Sequence, residues 1–480
     1  MTPERVEVLV VGGGPAGLTA AVEAARAGAE VVIVDENPRP GGQIYRQLPP
    51  EFVVEDPRWS PPEQARALFS QVARLPIQFR GGTIVWGSFE PRVLEVIADG
   101  RSARIQANVI IIAAGAYDRP VPLPGWTLPG VLTVGGAQTL LKAQRILPGK
   151  RILLAGTGPL LLVVASQLAK AGASIAAVVD TVRARALLPH AWSLLKALPV
   201  FKDGIGYRAT LLRAGVRWLA PYVLTRIEGT HQVACAVVAR ADDDWRPVAG
   251  TERSFEVDTV CVGYGLLPSV ELLRLLGCRL HHDPLADVWI PDRTPDGETS
   301  LPGVFAIGDG AGVAGVRVAV EEGRIAGLSA ARLLGRLSDE DAEQRKQAAR
   351  EALSRLRPFC AALSAVYRAR PGLLDLATPD TIVCRCEEVT RADIEAAIRD
   401  GAACPTQVKA WTRSGMGPCQ ARMCALPTMH LVAKAVGAQA AEVSMYTPRP
   451  PLKPVNISTL VGEFDSLAAG SVPGQGAPHP

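Results

Sequence analysis

One strand–glycine turn–helix–strand pattern occurs twice in this chain of 480 residues. In the first copy, the apolar run at residues 6–11 leads into a glycine turn and an Ala-rich helical stretch, and a second apolar run follows at residues 31–34. The second copy begins at Arg151 and ends near Asp180. Two such units predict an α/β fold with two Rossmann-like dinucleotide-binding domains, because parallel strands joined by a helix present a glycine turn to a pyrophosphate.

The first turn fits the G-x-G-x-x-G pattern and lies between a strand and a helix, the context that phosphate binding requires. The first glycine allows a tight turn, and the second lets backbone N–H groups reach a pyrophosphate at the helix N-terminus. The third glycine permits close packing of the helix on the strand. The sequence therefore predicts a dinucleotide-binding loop formed by Gly12, Gly14, Pro15, Ala16 and Gly17.

Acidic residues follow the second strand of this unit. Asp35 stands at the strand end and is expected to accept hydrogen bonds from a ribose hydroxyl, a role that the adjacent Glu36 could share. An acid at this place argues against a 2′-phosphate and so favours FAD or NAD over NADP. Gly42 and Gln43 match the loop that passes the pyrophosphate and the isoalloxazine ring in flavoproteins.

Residues 299–309 resemble the second FAD motif of disulfide-reductase-like flavoproteins, in which a short strand ends in Gly-Asp and the Asp binds the ribityl chain. The helical stretch at residues 316–330 would direct its N-terminus at the flavin, where a helix dipole stabilises negative charge. The small-residue strand end at residues 112–115 matches the crossover to the second domain. These motifs favour FAD, and the resemblance assigns further contacts to Ala114, Gly115, Gly308 and Asp309.

The second glycine turn departs from the pattern, because Leu161 replaces its third glycine. Gly156 and Gly158 remain, and Asp180 stands where a ribose-binding acid is expected. Three interpretations stay open: an NAD(H) site, a site for an adenine nucleotide such as ATP or AMP, or an empty structural domain. No cysteine precedes Cys235, so electrons cannot leave the flavin through a C-x-x-C dithiol of the kind that related reductases carry.

Four of the nine cysteines are spaced in pairs, as C-x-C and C-x4-C, which indicates metal or cluster ligands. A [2Fe–2S] cluster is favoured, because zinc sites usually show C-x2–4-C in both pairs. A zinc site and four free thiols remain the alternatives. The glycine-rich turn at residues 414–418 is expected to deliver the third cysteine to the head of a helix. The predicted ligands are Cys384, Cys386, Cys419 and Cys424.

Charge and hydropathy limit the classes of partner. The net charge is +4 with both signs interspersed, so nothing indicates nucleic acid or an anionic membrane as a partner. The uncharged stretch at residues 152–169 is interrupted by the second glycine turn and predicts strand, turn and buried helix rather than a membrane span. No signal-peptide pattern stands at the N-terminus, and a cytoplasmic location is expected.

The motif positions also predict domain boundaries. We expect an FAD domain at residues 1–120 and 295–337, interrupted by a second nucleotide-binding domain at residues 121–294. A helical connector at residues 338–378 precedes a small helical four-cysteine domain at residues 379–447. The tail at residues 448–480 is rich in Pro and Gly, and disorder is expected at residues 471–480.

Residues 383–390 and 412–420 resemble the bacterioferritin-associated-ferredoxin type of [2Fe–2S] domain. The front of the chain, through residues 35–45, 115–120 and 124–131, is similar to the A subunits of opine oxidases and the B subunit of hydrogen cyanide synthase. The resemblance covers nearly the whole chain. It implies a multi-subunit, FAD-containing dehydrogenase for octopine, nopaline, glycine, D-hydroxyproline or proline. It also implies a partner subunit of the D-amino-acid-oxidase type and allows a small ferredoxin-like subunit.

Three functional hypotheses follow. The first is an electron-transfer subunit that carries FAD and a [2Fe–2S] cluster, with substrate oxidation on a partner subunit. No side chain stands out as a general acid or base, so no catalytic residue is assigned. The alternatives are a self-contained NAD(P)H-dependent FAD and iron–sulfur reductase and a non-catalytic scaffold. Bleaching of the flavin absorbance by NADH or NADPH distinguishes the second hypothesis from the others.

Overall fold

The computed structural model describes residues 2–49, 51–52, 61–190, 192–193 and 198–461. The predicted disorder at residues 471–480 lies outside these ranges. Within the described ranges, no helix is long and apolar enough to cross a bilayer. The uncharged stretch at residues 152–169 forms most of the strand Arg151–Gly156 and most of the helix Pro159–Lys170, as its glycine turn predicts.

Strands and helices are mixed up to the helix Val316–Leu333, and the chain is mainly helical beyond it. The strands are β1 Glu4–Val11, β2 Val31–Val34, β3 Ile77–Arg80, β4 Ile84–Glu90, β5 Val93–Ala98, β6 Arg101–Ile112, β7 Ala116–Asp118, β8 Val131–Thr133, β9 Arg151–Gly156, β10 Ser174–Asp180, β11 Trp218–Leu219, β12 Tyr222–Glu228, β13 Cys235–Arg240, β14 Arg253–Glu256, β15 Thr259–Gly263, β16 Leu266–Pro268, β17 Leu280–Asp283, β18 Val288–Pro291, β19 Val304–Ala306, β20 Ile382–Cys384 and β21 Val389–Thr390. The α-helices are Pro15–Arg26, Glu63–Arg74, Val134–Thr139, Pro159–Lys170, Leu198–Arg213, Glu271–Leu275, Val316–Leu333, Asp339–Tyr367, Gly372–Asp375, Arg391–Arg399, Pro405–Thr412, Ala425–Val436 and Ile457–Val461. A π-helix spans Leu140–Gln144, and 3-10 helices span Ala184–His190 and Gly308–Ala311.

The first domain is built on a seven-stranded sheet in the order β3–β2–β1–β6–β5–β4, with β19 paired to the end of β6. β1 is parallel to β2 and β6, so Val10 lies between Ile33 and Ile111. All four residues of β2 are buried, which explains why its sequence is continuously apolar. The carboxyl ends of β1, β2 and β6 therefore meet at the first glycine turn, the edge at which parallel sheets bind ligands.

Two helices of the first domain pack side by side. A Cβ at Gly323 would lie 2.3 Å from Ala16 O, and one at Gly327 would lie 2.3 Å from Ala20 O. Only glycine fits at these positions, because each distance is far below a normal contact. The glycines therefore let the helix Val316–Leu333 pack directly on the helix that follows the first glycine turn.

The second domain contains a five-stranded parallel sheet in the order β11–β10–β9–β15–β8. A three-stranded antiparallel sheet, β12–β13–β14, packs against it, and Leu153 and Val238 meet in their shared core. The prediction of an α/β fold with two Rossmann-like domains is therefore confirmed.

Two short strands carry the chain between the first and second domains. Strands β7 and β16 pair antiparallel, with Tyr117 opposite Leu267, and carry the chain between the domains. The helix after β16 then lies in the core of the first sheet, where Leu273 is buried with Leu9. The boundary at residue 294 stays a prediction; the apolar residues of this helix contact the first sheet although they lie before that boundary.

The predicted connector is longer than its charged segment and spans two cores. Ala349 and Leu353 of the helix Asp339–Tyr367 pack against Val318 of the first domain. Val366, near the other end of this helix, is buried in the core of the second domain. The helix therefore joins the two nucleotide-binding domains.

The four-cysteine domain is a small helical unit with its own core, in which Cys384 and Cys424 are buried. Its helix Arg391–Arg399 begins with the expected capping box, formed by Thr390 and Asp393. These local features agree with the pattern seen in the sequence.

Several polar contacts hold the four-cysteine domain on the rest of the protein. Trp126 Nε1 donates to Ile382 O at 2.7 Å. Asp287 lies between a residue of the four-cysteine domain and one of the interdomain crossover. Its Oδ2 is 3.0 Å from His430 Nε2 and accepts from the buried Arg119 guanidinium at 3.0 Å. These contacts join the domain to both the interdomain crossover and the β17–β18 hairpin.

Candidate functional site

Two glycines of the first turn stand where the backbone of another residue lies too close for a side chain. A Cβ at Gly12, where φ is +106°, would lie 2.3 Å from Ala113 O, and one at Gly17 would lie 2.0 Å from Gly12 O. Gly14 is the N-cap of the helix that begins at Pro15. The helix N-terminus therefore opens onto the turn with its N–H groups available for a phosphate.

The two predicted ribose acids have different surroundings. Asp35 is buried, its Oδ2 accepts from Gly13 N at 2.6 Å, and its Oδ1 accepts from Asn37 N at 2.7 Å. Glu36 is half exposed and forms an ion pair with Lys453. Asp35 therefore shapes the loop in addition to any contact with a ribose, whereas Glu36 remains at the rim.

The predicted Gly42-Gln43 loop lies on the first glycine turn. A Cβ at Gly42 would be 2.9 Å from Gly14 Cα, which explains the glycine at this position. Arg46 NH2 donates to Gln43 Oε1 at 3.0 Å, and Arg46 NH1 donates to Asn37 Oδ1 at 3.0 Å. Arg46 thus connects this loop to the acidic segment and brings a positive charge to the place expected for a pyrophosphate.

Asp309 is held in the turn that precedes the helix Val316–Leu333. Its Oδ1 accepts from Ala314 N at 3.0 Å and from Gly315 N at 2.9 Å, and burial raises the pKa of its carboxyl. Behind it, the buried Glu322 accepts from Gly308 N at 2.9 Å. One Asp309 oxygen is thus fixed by the backbone, and the other remains for a ligand.

The strand end after β6 completes this edge. A Cβ at Gly310 would lie 3.1 Å from Gly115 N, so the segment that contains Ala114 and Gly115 packs directly on the Gly308–Ala311 turn. The first glycine turn, the acidic segment, the Gly42-Gln43 loop, this strand end and the Gly-Asp turn therefore meet in one place.

These residues line a cavity of about 1910 Å³ between the first and second domains. Two buried polar atoms in its lining, Thr83 Oγ1 and Arg46 Nε, have no hydrogen-bond partner among the described residues. Thr83 lies beside Asp35, since its N–H donates to Asp35 O at 2.9 Å. Unpaired buried polar atoms are costly, so their presence beside the ribose acid fits a polar ligand such as FAD.

The second glycine turn opens on the same cavity. A Cβ at Gly156 would lie 1.8 Å from Gly263 O, and Gly158 has a φ of +90°, so both glycines are required. Leu161, which replaces the third glycine, is buried in the core of the second domain. Tyr367 lies over this turn, because a Cβ at Gly158 would be 3.8 Å from its Cγ.

Asp180 adjoins this turn in a buried position. Its Oδ1 accepts from Thr157 Oγ1 at 3.1 Å and from Val182 N at 3.0 Å. Burial nevertheless raises the pKa of Asp180 to about 6. This arrangement is compatible with all three interpretations of the second domain: an NAD(H) site, a site for ATP or AMP, and an empty structural domain.

The four predicted cysteine ligands come close together as two pairs. Cys384 pairs with Cys424, which lowers the pKa of Cys384 and raises that of Cys424, while Cys386 pairs with Cys419. A Cβ at Gly417 would lie 2.2 Å from the Cys386 Cβ, so a glycine is required where the two segments meet. Four thiols from two distant segments therefore share one locus.

Backbone amides surround one of the four cysteine sulfurs. Backbone N–H groups of Gly415, Glu387 and Cys386 are directed at the Cys384 sulfur. Across the described ranges, no group of three or more His, Cys, Asp and Glu side chains is arranged to hold one metal ion. Cysteine thiols and backbone N–H groups are the donor types that iron–sulfur clusters use.

The helix next to this locus begins later than predicted. It spans Ala425–Val436, and its N-cap is Cys424. Cys419 lies before it in a series of turns, where Gln420 and Ala421 have positive φ angles. The expectation that Cys419 stands at the head of this helix is wrong, because these left-handed residues postpone its start.

Cys419 connects the four-cysteine locus with the cavity. Cys419 and Arg422 line the cavity near Tyr117 and Glu271, while Cys384 and Cys424 are buried behind them. Arg422 Nε lies 3.6 Å from Glu271 Oε1, and burial together with Glu271 raises the pKa of the Tyr117 hydroxyl. A single cavity therefore extends from the first glycine turn to a predicted cluster ligand.

Several residues of this cavity had no role in the sequence prediction: Arg46, Tyr117, Lys142, Glu271, Tyr367, Arg422 and Lys453. Lys142 Nζ donates to Ile44 O at 2.9 Å across the domain interface, and burial lowers its pKa to about 8. The position of Arg46 in the same loop as Gln43 could have indicated from the sequence that it lines the site. The others come from distant segments and have no local motif.

The comparisons with known proteins agree with this geometry. Residues 6–323 match the family model described as pyridine nucleotide-disulphide oxidoreductase, and residues 378–463 match the sarcosine oxidase A3 domain. The A subunit of opine oxidase from Rhizobium meliloti is 36% identical, with 95% of this chain and 87% of the relative covered. The HcnB subunit of hydrogen cyanide synthase from Pseudomonas aeruginosa is 33% identical, with 94% and 97% covered.

A solved structure of L-proline dehydrogenase from P. horikoshii shares the fold at a TM-score of 0.70 and 18% identity, with 96% of this chain and 80% of that chain covered. The fold of the matched family implies FAD binding, in agreement with the first glycine turn. The resemblance seen in the sequence is thereby confirmed. The chain belongs to the pyridine nucleotide-disulphide oxidoreductase family, within the group that contains the opine oxidase A subunits and the HcnB subunits of hydrogen cyanide synthase.

Proposed function

We propose that this chain is the FAD- and [2Fe–2S]-containing electron-transfer subunit of a multi-subunit dehydrogenase that acts on amines or imino acids. The observation that carries the proposal is the single cavity, which is lined at one end by Gly12 and Asp309 and at the other by Cys419. The named relatives are themselves subunits of oxidases or a synthase, which supports a role within an assembly.

FAD would be held by the first glycine turn, Asp35 and Asp309, and it would supply the exchange between two-electron and one-electron chemistry. The chain's own residues prepare this place. The N-terminus of the helix Val316–Leu333 offers positive potential, and two backbone hydrogen bonds orient Asp309. Asp118, another carboxylate of the cavity, accepts from Gly135 N at 3.1 Å and is occupied structurally.

The cluster would be held by the two thiol pairs, Cys384 with Cys424 and Cys386 with Cys419. Each iron of a [2Fe–2S] cluster takes two thiolates, so a paired arrangement provides the required number of ligands. Backbone N–H groups and the Arg422 guanidinium beside Cys419 would offset the negative charge of the cluster.

Substrate oxidation is proposed to occur on a partner subunit of the D-amino-acid-oxidase type, and a small ferredoxin-like subunit could complete the assembly. The proposed substrate class comprises opines, D-hydroxyproline, proline and glycine, which all present a C–H bond beside nitrogen. The second glycine turn is proposed to take NAD or an adenine nucleotide (ATP or AMP). A cytoplasmic location is also proposed.

The test compares the isolated chain with the chain co-purified with its partner, both prepared without oxygen. Octopine, nopaline, glycine, proline and D-hydroxyproline are offered in turn, and flavin absorbance is followed. We expect bound flavin, iron and acid-labile sulfide in the isolated chain, and substrate-dependent bleaching only when the partner is present. Full-rate amine oxidation by the isolated chain would contradict the proposal, as would a protein with neither flavin nor iron.

NADH and NADPH are offered to the isolated chain in the same apparatus. We expect slow or no bleaching, because Tyr367 covers the second glycine turn on the side of the cavity. Rapid bleaching would instead establish the self-contained reductase and overturn the proposed partner-dependent role.

A further inference from the structure

The segment that follows the four-cysteine domain folds back onto the FAD domain. We call residues 450–454 the C-terminal strap. Leu452 N donates to Trp86 O at 2.8 Å, and the Leu452 side chain is buried in the core of the first sheet. Pro450 packs beside Gly87, since a Cβ at Gly87 would lie 3.4 Å from the Pro450 Cβ. The strap is therefore anchored on strand β4 by a backbone hydrogen bond and by apolar contacts.

The strap reaches the end of the cavity where the ribose acids lie. Leu452, Lys453 and Pro454 line the cavity together with Asp35 and Glu36. Lys453 forms an ion pair with Glu36, and its side chain is 35% exposed. Its charge also interacts with Asp35, which the sequence assigns to the ribose. Two adjacent carboxylates repel each other, and Lys453 offsets that repulsion.

The strap is also tied to the four-cysteine locus. Arg422 NH1 donates to Cys419 O at 3.2 Å and to Leu452 O at 3.2 Å. One guanidinium therefore holds both the backbone of a predicted cluster ligand and the backbone of the strap. Movement of the strap away from the cavity has to break this bond as well as the Leu452 anchor.

We propose that the C-terminal strap is part of the FAD site, and that Lys453 is an FAD-binding residue at the adenosine end. The strap closes over the bound cofactor, so FAD leaves only after Leu452 and Lys453 lift from the first domain. Because the strap belongs to the polypeptide of the four-cysteine domain, FAD binding and docking of that domain stabilise each other by the same factor. This inference concerns cofactor retention and does not depend on the proposed electron-transfer role.

The experiment measures the rate at which FAD leaves the full-length, FAD-loaded protein, with excess apoflavodoxin as a trap and flavin fluorescence as the signal. We expect Lys453→Ala to release FAD about 5-fold faster, since an ion pair of partly exposed groups contributes little more than this factor. Lys453→Arg should restore slow release. Lys150→Ala, at an exposed lysine of the second domain, is the matched control and should behave as the wild type.

Salt provides a second readout. Raising the ionic strength should speed FAD release from the wild type more than from Lys453→Ala, because only the wild type has the ion pair to screen. Leu452→Ala, which removes the apolar anchor, should also speed release. Thermal unfolding of each FAD-free variant separates retention from general stability. A lower melting temperature with wild-type release rates in both Lys453→Ala and Leu452→Ala would overturn the proposal.

Discussion

Gly417 lies so close to Cys386 that a Cβ at position 417 would fall 2.2 Å from the Cys386 Cβ. No other residue fits there without movement of the backbone. This glycine therefore allows the turn at residues 414–418 to bring Cys419 to Cys386, and it explains why a short glycine-rich segment precedes the third cysteine.

Gly417→Ala should reduce the iron and acid-labile sulfide bound per chain to a small fraction of the wild-type value. The added methyl group separates Cys386 from Cys419, and ligand pairs lose affinity when their spacing changes. Gly206→Ala is the control, because a Cβ at Gly206 meets no described atom within 4 Å. Iron and sulfide contents equal to those of the wild type would contradict the proposed ligand arrangement.

Glu322→Gln should weaken FAD binding about 10-fold and lower the stability by about 2 kcal/mol. Glu322 accepts from Gly308 N at 2.9 Å and forms two bonds of 2.9 Å with Arg293, and an amide cannot accept at both positions. The turn that presents Asp309 then loses its support. Equilibrium FAD titration and urea unfolding measure the two effects, and the exposed Glu340→Gln is the control. Unchanged FAD affinity with lowered stability would limit Glu322 to a structural role.

Asp180→Asn should stabilise the nucleotide-free protein at pH 7.5 but not at pH 4. Burial raises the pKa of Asp180 from 3.8 to about 6, a difference that corresponds to about 3 kcal/mol. A raised folded-state pKa contributes stability at low pH that is lost as the pH rises from about 4 to about 6. Asparagine keeps the acceptor for Thr157 without the charge. Urea unfolding at both pH values tests this, with Asp243→Asn as control, and equal stabilisation at both values would disprove it.

Asp287→Ala should destabilise the protein by about 3–5 kcal/mol, because it leaves the buried Arg119 without its counter-charge. Burial opposes ionisation of Asp287, but His430 and Arg119 outweigh it and lower its pKa to about 2. The stability that this carboxylate contributes is therefore present above about pH 4 and is lost as the pH falls toward 2. The free energy of unfolding of the variant, measured in urea, should therefore fall less steeply than that of the wild type as the pH is lowered from about 4 toward 2. Asp243→Ala is the control, and an acid limb as steep as that of the wild type would refute this origin.

The sequence predicts the first nucleotide-binding edge well, because each of its parts is a local pattern. Gly12, Gly14 and Gly17 stand within one turn, and Asp309 ends a short strand with a recognisable composition. The domain boundary at residue 294 stays a prediction, and no local pattern before it indicates that Leu273 is buried with residues of the first sheet. Local pattern therefore locates a motif more reliably than it locates the limits of a domain.

The remaining differences also arise from contacts between distant residues. Composition predicts a Pro- and Gly-rich tail at residues 448–480, and it does not indicate that Leu452 is buried against the first sheet. The late start of the last domain's helix depends on the positive φ angles of Gln420 and Ala421, which ordinary propensity disfavours. Tertiary packing determines both the burial of Leu452 and the late start of the helix. Neither feature produces a periodic hydrophobic pattern in the sequence.

The helix Asp339–Tyr367 has a consequence for the two nucleotide-binding domains. Its first half is packed on the FAD domain and its last turn is buried in the second domain, so it acts as a brace that fixes the angle between them. Hinge motion would have to extract Val366 from a hydrophobic core. The same helix carries Tyr367, whose ring lies over Gly158, so the contact between this brace and the second glycine turn is fixed by the same packing.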